Sequence, residues 1–285
     1  MSYKKIINRI GLGLFKELPY LALNIPRPRV KDFKAVESLK DKNFHFQYAF
    51  GIPNIKQDFA NPRYENMLVT EDIAKEINKI SKHQNKISVC ESAPLDGYII
   101  WRLSQLQKRK EFNLNLSALE IQTNNCRKIE LVGDVFGYNV VTHNLPIEQF
   151  NGGLFDFFTM LGVTYQLPQP LKTLEHIISN LLKPDSFFYF DFIHPYDNFS
   201  KYGFHENGTT NEEGSTGTKF ILADERTEED NAYYLNHPTS AVSTILYKND
   251  ALAQFFLKYK NIQLQTVFRS VSTTSEMVTY RAHVQ

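Results

Sequence analysis

The chain has 285 residues, 42% hydrophobic and 22% charged, so it can bury one large core or two modest ones and has a soluble globular composition. A formal net charge of +1 excludes a global pull toward nucleic acid or an anionic membrane and leaves such partners only local patches. Two cysteines, Cys90 and Cys126, make no disulfide framework, and neither has a Cys or His neighbour at metal-ligand spacing; a reduced, cytoplasmic chain without a metal site is expected.

Taken in order, residues 1–25 place Ile6, Ile7, Ile10, Leu14 and Leu18 at roughly helical spacing, interrupted by Arg9, Lys16 and Glu17. That run is too broken for a transmembrane segment or a signal sequence; a helix packed on the domain or on a second copy, giving a homo-oligomer, is expected. Residues 26–70 are rich in proline and aromatics (Pro26, Pro28, Pro53, Pro62, Phe44, Phe46, Tyr48, Phe50) and read as an irregular cap. Ile73, Ile77 and Ile80 predict a helix over 71–81. The expected division is an N-terminal cap over 1–84 and a main domain over 85–285.

From residue 87 strand and helix patterns alternate, which predicts an α/β fold with a mostly parallel sheet. Strands are expected at 87–91, 114–121, 139–144, 155–161 and 186–193, with helices at 97–109, 124–133 and 171–182. The last of these helices ends in Lys183-Pro184-Asp185, read as a stop signal. Residues 198–231 have the composition of a long loop, either a lid or disordered, although Phe220-Ile221-Leu222 suggests that it packs once. An insertion or lid is therefore expected at about 198–237. A strand or buried segment at 241–247, a helix at 250–259 and an antiparallel pair at 262–269 and 277–284 complete the chain.

The stretch 87–103, ISVCESAPLDGYIIWRL, is a buried strand, a small-residue turn and the start of a helix. Such a turn offers close backbone approach and free N–H groups, and open α/β sheets hold nucleotides at this kind of place. An ordinary strand–helix turn is the competing reading. Glu120 lies 23 residues beyond Gly97 at the end of the second strand, where an acid can accept hydrogen bonds from both hydroxyls of a ribose. Trp101 reads as core. A nicotinamide or flavin site needs Gly-x-Gly-x-x-Gly, which the turn lacks.

These residues carry a resemblance. VCESAPLDGY (89–98), LEIQ (119–122) and FDFFTMLGVTYQLPQPLKTLEHIISNLLKPDSFFYF (155–190) resemble, in order, three blocks of the class I S-adenosylmethionine-dependent methyltransferases. The resemblance spans roughly 85–285 and implies a Rossmann-like fold, a seven-stranded sheet with an antiparallel C-terminal strand, and S-adenosylmethionine as cofactor. By that resemblance Glu91, Ser92, Ala93 and Gly97 belong to the cofactor site, Glu91 and Gly97 lining the methionine part. Glu120, with Ile121, takes the ribose; Asn144, with His143, falls near the adenine amine; Leu161 and Gly162 form a wall at the end of strand four. The chain departs from the family pattern at Ala93 and Pro94, where glycines are usual, at Gln166 in place of a histidine, and at Asp185-Ser186 in place of Gly-Gly.

Methyl transfer to a hydroxyl needs a base, and His194, Tyr196 and Asp197 after strand five are the candidates. A histidine there titrates near neutrality, while a local structural role is the competing reading. Tyr165 and Gln166, with His205 and His237 flanking the polar loop, are the acceptor-contact candidates. Asp191, His194 and Asp197 could form a metal site, but their spacing does not argue for one. The reading is a cytoplasmic methyltransferase acting on an oxygen of a small, sugar-like or other metabolite acceptor. No nucleic-acid partner is expected, since Lys108-Arg109-Lys110 and Arg127-Lys128 fit solvated helix faces. The alternative is a non-catalytic partner subunit that has lost cofactor binding.

Overall fold

The computed structural model describes residues 34, 36, 37, 64–107, 113–195, 204–212, 215–222, 243–247, 251–271 and 275–285. The N-terminal helix expected over 1–25 and most of the cap lie outside these residues. Seven strands form one sheet in the order β3-β2-β1-β4-β5-β10-β9, and three more form a separate sheet, β6-β7-β8. This is the mostly parallel sheet expected from the alternation, in the Rossmann-like, seven-stranded form that the resemblance implies. The chain divides into two compact units, residues 1–144 and 145–285.

In the first unit, α1 (Tyr64–Ile80) carries Val69, Ile73 and Ile77, four residues apart and fully buried, so one stripe of the helix is core. β1 (Lys86–Ser92) pairs in parallel with β2 (Asn113–Leu119), and β2 pairs in parallel with the short β3 (Val141–His143). Between β1 and β2 runs α2 (Tyr98–Gln107), and between β2 and β3 runs α3 (Thr123–Phe136). Trp101 is core, as expected, with its ring edge-on to Phe136 at 5.6 Å. Gly137 takes φ 66° and closes α3, a position where a Cβ would be strained.

In the second unit, β4 (Phe155–Met160), α4 (Pro170–Asn180) and β5 (Leu182–Pro195) follow one another. β4 and β5 are parallel, with Phe157 opposite Phe187 and Phe158 opposite Phe188. Every residue of β4 is buried: Phe155, Phe157, Phe158 and Met160 supply its apolar side chains, and Asp156 is paired with Lys183 at 2.8 Å. The rings interlock: Phe157 stacks on Phe187 at 5.5 Å, Phe188 on Phe190 at 4.9 Å, and Phe190 on Phe256 at 5.8 Å. After β5 come α5 (Ala251–Phe256), β9 (Ile262–Val271) and β10 (Ser275–Val284). β10 is antiparallel to both its neighbours, β5 and β9, as the closing strand pair predicts.

Two expectations need correction. Lys183-Pro184-Asp185 is not a loop after the helix: α4 ends at Asn180 and these residues already belong to β5. The β4–β5 register shifts between Phe155 and Phe157, and Asp185 takes φ 60° there, a conformation that Asp tolerates better than most residues. The 198–231 stretch is not wholly loop either. β6 (Phe204–Glu212) and β7 (Ser215–Leu222) pair as an antiparallel hairpin, and β8 (Ser243–Tyr247) pairs with β7. Its Ser, Thr and Gly content suggested a loop, but Thr also favours strands, and backbone pairing satisfies the amides. Among the described residues no helix is long and apolar enough to cross a membrane.

Because Phe188 is fully buried between rings, Phe188→Ala should lower unfolding stability by about 3–5 kcal/mol. A urea titration read by fluorescence checks this; a shift no larger than that of an exposed residue such as Leu257→Ala would contradict the packing.

Candidate functional site

In the first unit, β1–β2 pairing continues into the turn, where the Ala93 N–H donates to the Leu119 carbonyl at 2.8 Å. The chain then bends into α2 with a positive φ at every second residue: Ala93 at 49°, Leu95 at 55° and Gly97 at 75°. The Gly97 N–H donates to the Pro94 carbonyl at 2.8 Å, and its own carbonyl accepts the Trp101 N–H at 2.9 Å, which opens the helix. A Cβ at position 97 would stand 3.3 Å from Ile129, so glycine is needed for space as well as for its φ. Ala93 and Leu95 hold left-handed backbone at about 1–2 kcal/mol each. The sequence comparison put the second missing glycine at Pro94; the backbone shows that Leu95 occupies the left-handed position.

Glu91 is 5% exposed, and its Oε2 accepts the Ile100 N–H at 3.0 Å, with the Ile99 N–H also directed at the carboxylate. The strand's acid thus caps the helix that follows it. Burial outweighs these bonds and pushes the Glu91 pKa up to about 8. Tyr138 has a buried hydroxyl without a hydrogen-bond partner among the described residues; burial first and the Glu91 charge second push its pKa up.

Glu120 is 3% exposed, and its Oε1 accepts the Gln122 N–H at 2.9 Å at the start of α3, where Gln122 makes no side-chain cap of its own. Burial raises its pKa, against the Gln122 N–H, the Asn125 amide and the backbone N–H groups of Leu95 and Ile121. Its Oε2 is buried with no hydrogen-bond partner among the described residues, and so is Ser92 Oγ. Asn144 donates to the carbonyls of Glu120 and Ile121 at 2.9 and 2.8 Å and accepts from Thr123 Oγ1 at 2.8 Å. It therefore braces the end of β2. His143 pairs opposite Leu119 through β3, and burial lowers its pKa. Cys90 and Cys126 are buried with raised thiol pKa values, that of Cys126 pushed up to about 11, so neither is a ready nucleophile.

In the second unit, the loop after β4 is tied down by Asp191, a fully buried residue of β5. Its Oδ2 accepts the Gly162 N–H at 2.6 Å and its Oδ1 accepts Thr164 Oγ1 at 3.3 Å. Gly162 takes φ 75° and Leu161 is half-buried beside it. Gln166 folds back, donating to the Gly162 carbonyl at 3.3 Å, next to the half-buried Tyr165. His194, 9% exposed near the end of β5, shares a 2.8 Å hydrogen bond through Nε2 with the Tyr280 hydroxyl of β10. Burial lowers the His194 pKa, so the ring is neutral at pH 7.

The expected residues thus fall into two groups, one per unit: Glu91, Ser92, Ala93, Gly97, Glu120, Ile121, His143 and Asn144 in the first, and Leu161, Gly162, Tyr165, Gln166 and His194 in the second. Tyr196, Asp197 and His237 lie outside the described residues, and of His205 only the backbone, paired with Ile221 in the hairpin, is described. Among the described residues no group of three or more His, Cys, Asp or Glu could hold a metal. Sequence reasoning gave Asp191 only a metal role and passed over Tyr280. An acid three residues before the candidate histidine, in a strand otherwise aromatic, was the available signal for Asp191; nothing local marks Tyr280, 86 residues away from His194.

No protein-family model matches the chain, and no curated protein sequence does. Solved structures do. The chain is similar to the N-terminal domain of EvdMO1 in the presence of SAH and D-fucose, at 14% identity and a TM-score of 0.61, over 90% of this chain and 98% of that one. It is also similar to the DszA carbon methyltransferase, at 16% identity and a TM-score of 0.50, over 78% of this chain and 54% of that one. The fold is that of the class I S-adenosylmethionine-dependent methyltransferases.

Gly97→Ala should destabilise the chain by about 1–2 kcal/mol or more, since it adds left-handed strain and contact with Ile129. Thermal unfolding checks this, and an unchanged midpoint contradicts it. Glu91 also sets a pH dependence. Its pKa is about 8 when folded against an ordinary 4.5, so the folded chain binds more protons and stability falls as pH rises between those values. Glu91→Gln should flatten that fall in a series of melts from pH 5 to 8.5.

Proposed function

We propose that the chain is an S-adenosylmethionine-dependent methyltransferase acting on an oxygen of a small, sugar-like or other metabolite acceptor. The observation that carries the reading is Glu120 Oε2, a buried carboxylate oxygen at a strand end with no hydrogen-bond partner among the described residues, with Ser92 Oγ likewise unpartnered among them in the preceding strand. An unmet buried acceptor costs about 1–3 kcal/mol, and a ribose hydroxyl would relieve that cost. The residues therefore fit the nucleoside, which supplies a methyl group on a sulfonium sulfur when bound. Glu120 with Ile121 holds its sugar; Glu91, Ser92, Ala93 and Gly97 shape the turn along its methionine part; His143 and Asn144 border the adenine; Leu161 and Gly162 form a wall.

His194, neutral at pH 7, serves as the base that takes the acceptor's hydroxyl proton, with Tyr196 and Asp197 assisting. Tyr165, Gln166, His205 and His237 contact the acceptor, and the segment 198–237 acts as a lid on the domain 85–285, with 1–84 as a cap. The similarity to a domain crystallised with SAH and D-fucose supports a sugar-like acceptor. A cytoplasmic location and an acceptor other than nucleic acid belong to the same reading. The left-handed Ala93 and Leu95, where bare backbone is cheapest, favour a second reading: a partner subunit that keeps the fold without the cofactor.

Calorimetric and thermal-shift titrations with S-adenosylmethionine and SAH separate the two. A binder gains about 2.7 kcal/mol of stability at a ligand concentration a hundred times Kd; no shift at millimolar ligand sinks the enzyme reading. Glu120→Gln should weaken SAH about tenfold, the factor of one charge-assisted hydrogen bond. His194→Ala should abolish SAH formation across a panel of 6-deoxyhexoses that includes D-fucose and leave SAH affinity unchanged. Retained turnover removes His194 from the mechanism.

A further inference from the structure

His194 and Tyr280 meet at 2.8 Å, Nε2 to hydroxyl, across the antiparallel pairing of β5 with β10. The contact is part-buried and flanked by rings. Tyr280 stacks on Phe190 at 5.5 Å, the His194 ring tilts against Phe192 at 5.5 Å, and Phe192 stacks on Tyr247 at 6.2 Å. Two charges act on the pair: Glu276 from β10 and Arg269 from β9, which bond each other at 3.0 Å and so oppose one another at the ring. Burial also raises the Tyr280 pKa, so the phenol keeps its proton at pH 7.

A neutral imidazole has one N–H and one lone pair, and a partner on one nitrogen decides what the other can do. Resting on the methyltransferase reading, we propose that Tyr280 is a positioning residue for His194: its oxygen accepts the Nε2–H and leaves Nδ1 as the lone pair that takes the acceptor's proton. In that step the acceptor's O–H bond breaks, its proton forms an N–H bond at Nδ1, and the oxygen's electron pair attacks the methyl carbon. The cofactor, when bound, would supply that methyl group, its sulfonium sulfur keeping the electrons of the broken carbon bond. The ring becomes imidazolium, and its Nε2–H bond to Tyr280 becomes charge-assisted, stronger after proton transfer than before. That difference favours the transition state. The arrangement is a base oriented by a third group, with a phenol in the orienting role.

The test is the tautomer of His194, read from the ¹⁵N shifts of its ring in the full chain labelled at histidine. The wild type should show a protonated Nε2 and a bare Nδ1. Tyr280→Phe keeps the ring that stacks on Phe190 and removes only the oxygen; the preference for that tautomer should fall about tenfold, as for one lost hydrogen bond. A protonated Nδ1 in the wild type, with the phenol donating to Nε2, overturns the proposal, and so does a tautomer ratio unchanged in Tyr280→Phe. SAH calorimetry on the same two proteins separates the failures. Equal affinity in both supports a role for Tyr280 confined to the base, whereas absence of SAH binding in the wild type overturns the methyltransferase reading whatever the tautomer.

Discussion

Buried carboxylates that grip backbone N–H groups are the interaction on which the strand ends of this protein depend. Glu91 takes the Ile100 N–H at the start of α2, Glu120 takes the Gln122 N–H at the start of α3, and Asp191 takes the Gly162 N–H in the loop after β4. Each donor sits where a strand has stopped supplying acceptors and a loop or helix start has none of its own. A hydroxyl or amide at the cap position would meet the same need, but α3 has no such cap from Gln122. The acid instead reaches forward from the strand, so the loop's geometry is tied to the sheet.

Burial decides what kind of bond these are. The pKa of Glu91 is pushed up to about 8, so at neutral pH it is held mostly as the neutral acid, and desolvation prevails over two backbone donors and the dipole of α2. Its hold on the helix is then that of a neutral hydrogen bond, about 1 kcal/mol, which does not by itself offset the left-handed strain at Ala93 and Leu95. The turn is held by more than its acid. The Ala93 N–H extends the β1–β2 ladder, the Gly97 N–H closes on Pro94, and the rings of Tyr98 and Trp101 in the first turn of α2 are buried. Strain at two residues survives because the segments on both sides are fixed independently.

The alternation of strands and helices was readable from residue 87 onward because its strands are short segments dense in apolar and aromatic residues, set between segments of helical period. Phe155, Phe157 and Phe158 of β4 and the Phe187–Phe190 run of β5 are the clearest instances. The misread boundaries share one cause. Lys183-Pro184-Asp185 looks like punctuation, yet a register shift and one left-handed Asp carry it into β5, and a shift of that kind leaves no periodic trace. Likewise, turn-rich composition in 204–222 hid a hairpin, because pairing satisfies backbone groups whatever the side chains advertise. Candidate residues near one another in sequence, such as Glu91 and Gly97, could be singled out from one stretch; the contact of Tyr280 with His194 could not, since it depends on which strand the last one pairs with.

The three acids also differ in how their two oxygens are used. Asp191 uses both, one on Gly162 and one on Thr164, and is consumed in holding its loop. Glu91 directs its carboxylate at two consecutive amides of α2 and ends as a cap. Among the described residues, Glu120 alone of the three leaves one oxygen buried without a hydrogen-bond partner while the other fixes α3. Asn144 cannot relieve it, because both of its amide bonds go to backbone carbonyls. A fold that needed Glu120 only as a cap would do as well with a side chain bearing one acceptor, such as Ser or Thr, at no desolvation cost for a second. The second oxygen, buried and without a partner among the described residues, is therefore what distinguishes this strand end from the other two.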